Sequence, residues 1–252
     1  MALRGKTVFC VVTGASRGIG AQITRVFSEL LSKESVFVLT ASSETSFQNF
    51  ELDQPHRLFG FDLAEFRPAD LARFGECLDD ALQLGGGDAT FDAAVVVHNA
   101  GSLGDVSERA RQMADVEKLD RYFRLNISSM AAMNAAALFE RCQRLPTGTT
   151  TFVVNLTSMA AQRPHARRQG TASCAAGRED RASSTHYAPG RIATAMTRAI
   201  EDCSFSAEKR ARFRDLRVKQ EFHEAEASAR RLFELLDDNA FESGAVLDFR
   251  TA

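Results

Sequence analysis

The stretch TGASRGIG, Thr13 to Gly20, decides how this chain is read. It follows KTVFCVV (6–12), a nearly continuous β-branched and apolar run of the kind a strand buried on both faces requires. After it, Ile19, Ile23, Val26, Phe27, Leu30 and Leu31 recur at helical spacing. Glycines between a strand and a helix let the backbone turn sharply and approach a pyrophosphate. The helix N-terminus adds free N–H groups and the positive end of a dipole. A glycine pattern alone is weak, but here both the strand and the helix that the motif needs are present. A tight turn with packing glycines is the plain alternative. On the first reading, Gly14, Ala15, Ser16, Arg17, Gly18, Ile19 and Gly20 cradle a dinucleotide.

Outward from the loop, strands and helices alternate. SVFVLTA (35–41), RLFGFDL (57–63), FDAAVVVHNAG (91–101) and TTFVVNLTS (150–158) read as further strands. Leu71, Phe74, Leu78 and Leu82 mark a helix that GGGD (85–88) breaks, and a long helix is expected from Leu119 to Cys142. This order predicts an α/β fold with a doubly wound, Rossmann-like parallel sheet, as one domain over 1–252. From Arg163 to His186 the pattern fails. The 24 residues hold no Leu, Ile, Val, Phe or Met and are rich in Arg, Ala and Ser, which predicts a loop or a frayed polar helix. Selection, or an altered splice junction or reading frame, could each produce such a block between well-patterned flanks. Order resumes at YAPG (187–190), a charged helix is expected from Ser206 to Asp238, and AVLDF (245–249) reads as a closing strand.

The bulk numbers narrow the function classes. At 252 residues, 44% hydrophobic and 25% charged, the chain can bury a substantial core. A net charge of −2 predicts no long-range attraction to nucleic acid or to an anionic membrane. Five cysteines, odd in number and without close pairs, predict a reduced, cytoplasmic chain with neither a disulfide framework nor a metal site. No apolar run approaches the roughly 18 residues of a membrane span, and the N-terminal run reads as a strand rather than a signal peptide.

The turn after the second strand reports on the cofactor. An acidic residue there would hold an adenosine ribose 2′-OH. Ser42 and Ser43 stand there instead, with Glu44 later, and Arg17 could pair with a 2′-phosphate, so NADP(H) is expected. A solvated surface cation is the alternative for Arg17.

TGASRGIG, NAGSLGDVS (99–107), LNISSM (125–130), NLTSMAAQ (155–162), YAPG and SGAVLDF (243–249) occur in an order that resembles the short-chain dehydrogenase/reductase family. Within it, NAGSLGDVS and SGAVLDF are most similar to the sepiapterin reductases. That resemblance implies hydride delivery from NADPH to a carbonyl, and reduction of pterin side-chain ketones in tetrahydrobiopterin biosynthesis. It implies that Ser42 and Ser43 hold the adenosine end, where the family often has an arginine at position 42, and that Asp62 and Leu63 flank the adenine. It further implies that Asn99, Ala100 and Gly101 line the cofactor, with His98 replacing a usual asparagine. Gly190 and the run Ile192, Ala193, Thr194, Ala195, Met196 and Thr197 would match the loop over the nicotinamide. Asn126 would support proton relay, Ser158 would hydrogen-bond the substrate carbonyl beside Met159, and Asp248 would anchor the pterin, with a plain surface Asp as the alternative.

The acid that such chemistry needs is missing. The family's Tyr-x-x-x-Lys would fall on TASCAAGRED (171–180), where Ser173 stands for the tyrosine and Gly177 or Arg178 for the lysine. The chain has two tyrosines, Tyr122 and Tyr187, and no lysine between Lys118 and Lys209. Tyr187 reads as a packing residue. His165 and His186 are the other groups that could give a proton. Ten residues between Arg178 and Pro189 leave too little room for a helix of ~11 residues and a strand of ~5–6. A sheet shortened around its sixth strand is therefore expected. The homodimer that the resemblance implies would lose the helix at its interface.

Overall fold

The computed structural model describes residues 2–48, 50–85, 90–135, 139–145, 149–158 and 182–250. Seven parallel strands form one sheet in the order β3-β2-β1-β4-β5-β6-β7. They are β1 (Val8–Val12), β2 (Val36–Ala41), β3 (His56–Gly60), β4 (Ala93–His98), β5 (Thr150–Leu156), β6 (Ala182–Ala188) and β7 (Ala245–Asp248). The order reverses between β1 and β4, and a doubly wound sheet opens its ligand crevice at the carboxyl ends of the strands there.

Both faces of the sheet are covered, which explains the unbroken apolar runs of β1, β2 and β4. On one face, α1 (Gly18–Leu30) and α8 (Ala225–Asp238) pack over Cys10, Val12, Val95, Val97 and Val154. Phe27 meets Phe233 edge to face, with ring centroids 5.2 Å apart. Each fully buried ring of this kind contributes about 1.5–3 kcal/mol. On the other face, Phe74, Leu78 and Ala81 of α2 (Pro68–Leu84) pack with Met133 of α4 (Ser129–Met133) over Phe9, Val11, Val96 and Val153. Pro68 opens α2 at its first turn, where the missing N–H costs nothing, and Asp70 accepts from the Arg67 N–H at 3.1 Å.

The expected shortening of the sheet is corrected. Residues 182–186, expected to be unpatterned, belong to β6, which is in register with β5 from Thr151↔Ala182 to Leu156↔Tyr187. Parallel pairing is made by backbone groups, so serine and threonine can occupy a strand when neighbours on both sides complete the ladder. Ser184 and Thr185 are buried, and Thr185 Oγ1 donates to the Ala245 carbonyl at 3.0 Å. The block 163–181, including TASCAAGRED, lies outside the described residues.

One expected helix runs through a π-helical turn, and the other is divided. The helix foreseen over Leu119 to Cys142 comprises α3 (Val116–Phe123), a π-helical turn (Arg124–Ser128), α4 and α5 (Phe139–Gln143). Asn126 Nδ2 donates to the Tyr122 carbonyl at 2.8 Å, a side chain inserted into the helical ladder where it widens. The helix foreseen over Ser206 to Asp238 is α7 (Ala207–Val218) followed by α8, after a preceding α6 (Ala195–Cys203). Gln220, with φ 54°, turns the chain between them, and Phe222 packs with Phe213 rather than on the α8 face.

Tyr187 is fully buried among the α1/α8 core, where its hydroxyl donates to the Ser228 carbonyl at 2.8 Å. Burial pushes its pKa up to about 12. It is a packing residue, as expected. Tyr187→Phe should destabilise the fold by about 1–2 kcal/mol in chemical denaturation, because the buried Ser228 carbonyl loses its donor.

His98, at the end of β4, is buried on the opposite face, with Nε2 2.7 Å from Asn134 Oδ1. Burial holds its pKa down at about 4. An unfolded histidine takes up its proton near pH ~6.5. The unfolded chain therefore binds more protons between those values, and protonation favours unfolding. Stability contributed by neutral His98 is complete above pH ~6.5 and is lost as the pH falls toward 4. Melting curves across that window should show this fall, and His98→Asn should flatten it.

Candidate active site

The glycine loop is bolted to the neighbouring strand before any ligand arrives. Asn99 Nδ2 donates to the Thr13 and Gly14 carbonyls at 3.0 and 2.8 Å. Thr13 Oγ1 accepts from the backbone N–H groups of Asn99 and Ala100 at 3.0 and 3.1 Å. This bracket joins the ends of β1 and β4 at the point where strand order reverses. Its hydrogen bonds lie between groups of low exposure, so water competes poorly for them.

The loop is also shaped for close approach. Gly14 has φ +64°, and a Cβ there would sit 3.0 Å from Ala100 Cα. A Cβ on Gly20 would lie 2.3 Å from the Gly14 carbonyl oxygen. Only glycine permits this turn and this tight first helical turn. The resulting cradle, open at the N-terminus of α1, fits a pyrophosphate. Ala15 is buried, Ser16 and Ile19 are half-buried, and Arg17 and Gly18 are exposed. Arg17 makes no ion pair among the described residues.

The adenosine-side candidates fall beside this loop. Ser42 and Ser43 are exposed at the end of β2, and the Ser43 hydroxyl lies 2.8 Å from that of Thr45. Asp62 Oδ1 accepts from the Ala64 N–H at 2.9 Å, so this carboxylate caps a short turn, and Leu63 is buried. Ala100 is half-buried and Gly101 exposed. Gly101 lies against Asn126 Oδ1, at 3.2 Å from where its Cβ would stand.

At the substrate side, Asn126 sits in the π-helical turn, and its Oδ1 accepts from the Ser102 N–H at 2.9 Å. Its amide thus ties the loop after β4 to the helix. Ser158 is exposed just past β5. Met159, His165, Ser173, Gly177 and Arg178 lie outside the described residues. The register His98↔Asn155↔His186 places those three side chains side by side on the α2/α4 face. Asn155 is buried, and neither amide atom has a partner among the described residues. Burial lowers the pKa of His186, which favours its uncharged form.

The segment expected over the nicotinamide lies across the cleft. Gly190, at φ +83°, turns the chain after β6, since a Cβ there would meet His223 Cδ2 at 2.9 Å. Ile192 is buried and bridges to His223. Thr194 caps α6, and its Cγ2 would stand 3.8 Å from a Cβ on Gly18. Thr197 Oγ1 donates to the Ile192 carbonyl at 3.0 Å, and Ala193, Ala195 and Met196 complete the run, with Met196 exposed. Thr194 therefore brings the start of α6 beside Gly18 of the glycine loop.

Asp248 is buried at the end of β7, in register with Ala188, but its carboxylate is occupied. Arg250 donates from Nε to Oδ1 at 3.1 Å and from Nη2 to Oδ2 at 3.0 Å. Sequence reasoning missed this pair, although an arginine two residues beyond the carboxylate was its visible signal. It also missed Thr13, whose bracketing role depends on its proximity to β4.

Among the described residues there is no cluster of three metal-binding side chains, and no helix is long and apolar enough to cross a membrane. The family model described as short chain dehydrogenase matches residues 8–179. Sepiapterin reductase from Bos taurus is 31% identical over 259 residues, covering 97% of this chain and 95% of its own. L-sorbose reductase from Gluconobacter frateurii, solved with NADPH and L-sorbose, superposes with a TM-score of 0.67 at 18% identity, over 98% of this chain and 96% of that one. A 3-oxoacyl-[acyl-carrier protein] reductase from Brucella melitensis, solved with NAD, gives 0.69 at 20% identity over 98% and 96%. The parallel sheet, the bracketed glycine loop and this family match together show that the chain belongs to the short chain dehydrogenase family.

Proposed function

We propose that the chain binds NADP(H) and is a carbonyl reductase of the sepiapterin reductase type by descent, with hydride transfer slowed by the loss of its acid. The cradle formed by Gly14, Gly18 and Gly20 carries this reading. The N–H groups at the start of α1 would hold the pyrophosphate. Arg17, exposed and without an ion pair among the described residues, would hold a 2′-phosphate. The fold serves both dinucleotides, and the absence of an acidic residue at Ser42 and Ser43 favours the phosphorylated one. When bound, NADPH supplies a hydride to a carbonyl carbon.

The chain's own residues would orient that carbonyl and balance the charge that develops on its oxygen. The Ser158 hydroxyl would donate a hydrogen bond to it. Asn126 would keep the wall of the cleft in place through Ser102. Neither group yields a proton near neutrality. Neither tyrosine has a lysine four residues on, since Asn126 follows Tyr122 and Arg191 follows Tyr187 at that spacing. A positioned acid is worth ~10²–10⁴ in rate.

Two measurements test this. Calorimetric titration should give tighter binding of NADPH than of NADH, and Arg17→Ala should reduce that preference about tenfold, the loss of one charge-assisted contact. Equal affinities, or no binding, would defeat the assignment. With NADPH and sepiapterin, turnover should be at least ~10²-fold below that of a relative with the intact tyrosine–lysine pair. Full turnover would show that another group supplies the proton.

A further inference from the structure

The Asp248–Arg250 pair stands at the carboxyl end of β7, the edge of the parallel sheet on which the proposed cleft opens. Asp248 follows Val246 on the sheet face that also holds His186, Asn155 and His98, by the register of β4 to β7. Its partner Ala188 leads through Gly190 toward α6, whose cap Thr194 stands beside Gly18. Both carboxylate oxygens accept from the Arg250 guanidinium, and Oδ1 also accepts from the Arg250 backbone N–H at 2.8 Å. The Asp248 side chain is 6% exposed, whereas that of Arg250 is 44% exposed.

This changes what the position offers a ligand. A bare carboxylate would accept N–H donors from the edge of a 2-amino-4-oxopteridine. Here Arg250 already fills three of the roughly four lone-pair sites of that carboxylate. A guanidinium has five N–H donors in a plane. Asp248 engages the Nε–H and one Nη2–H, which form one edge of that plane. The Nη1 hydrogens and the second Nη2 hydrogen remain on the other edges. The buried carboxylate holds the group in place, so little side-chain freedom is lost when a ligand binds.

We propose that Arg250 is a specificity-determining residue that turns this end of the cleft from an acceptor of N–H donors into a donor, so that it selects carbonyl compounds bearing a carboxylate over 2-amino-4-oxopteridines. This rests on the reductase reading for the position of the cleft. A pteridine reaches Asp248 only by displacing Arg250, which exchanges one charge-assisted pair for another and gains little. A ligand carboxylate pairs with the guanidinium edge that Asp248 leaves open among the described residues, without displacing Asp248.

Three probes test it by calorimetry, each titrated into the full chain with and without saturating NADPH: 4-oxopentanoate, its methyl ester, and 2-amino-4-oxopteridine. The natural chain should bind the acid about tenfold or more tightly than the ester, as expected for one charge-assisted pair. Arg250→Ala should abolish that preference and tighten pteridine binding about tenfold, and adding Asp248→Asn should remove the gain. Arg250→Gln, which keeps the side chain's bulk, should reproduce the loss of acid preference. No acid preference in the natural chain, or an unchanged acid-to-ester ratio in Arg250→Ala, overturns the proposal. So does unchanged pteridine binding in that variant. Failure of NADPH to bind counts against the dinucleotide reading instead, because the acid-to-ester ratio is also read on the protein alone.

Discussion

The bracket between Thr13 and Asn99 is the contact on which the rest of the site depends. One side-chain amide holds two carbonyls of the glycine loop, and one hydroxyl receives two backbone N–H groups from the end of β4. The Thr13 and Gly14 carbonyls are thereby satisfied inside the protein. Its remaining polar groups, the N–H groups at the start of α1, are left facing the crevice. A loop anchored in this way needs no reorganisation to meet an anion, so its binding energy is not consumed in ordering it. The same bracket fixes β1 against β4 where the strand order reverses, and that reversal creates the crevice.

The two faces of the sheet divide the polar groups of β4 to β7 between them. Tyr187 and Leu247 point into the layer under α1 and α8, and the Tyr187 hydroxyl is consumed by Ser228. His98, Asn155, His186 and Asp248 point to the other face, by the alternation of the strands and the register of their pairs. A tyrosine in the last turn of β6 is thus unsuited to acid catalysis for a geometric reason as well as an electrostatic one. On the opposite face the polar groups are already paired or desolvated in specific ways. His98 is bound to Asn134 and Asp248 to Arg250, which makes this wall more rigid than its composition suggests.

Much of the fold was legible in the residues because β1, β2 and β4 are buried on both faces and must be apolar throughout. The helices α1 and α2 show their buried stripes at Ile23, Phe27, Phe74 and Leu78 for the same reason. β6 was not legible. ASSTHYA is a strand because β5 and β7 supply backbone partners on both sides, a condition set by residues far away in the chain. The π-helical turn in the long helix was hidden too. Asn126 is an ordinary helical residue until its side chain takes the Tyr122 carbonyl. In the candidate site, the glycine loop could be read from its spacing, whereas the state of Asp248 could not, because spacing does not tell which way Arg250 turns.

By itself, the sequence determined the strand–glycine–helix unit, the parallel α/β order, the glycine loop and the absence of a tyrosine–lysine pair. These are matters of local pattern and of which residues exist. The tertiary structure decided that the sheet keeps seven strands, that the Tyr187 hydroxyl is taken by Ser228, and that Asp248 is held by Arg250. Each of those outcomes depends on backbone partners supplied from elsewhere in the chain, or on the direction in which a side chain leaves its strand, and local pattern encodes neither.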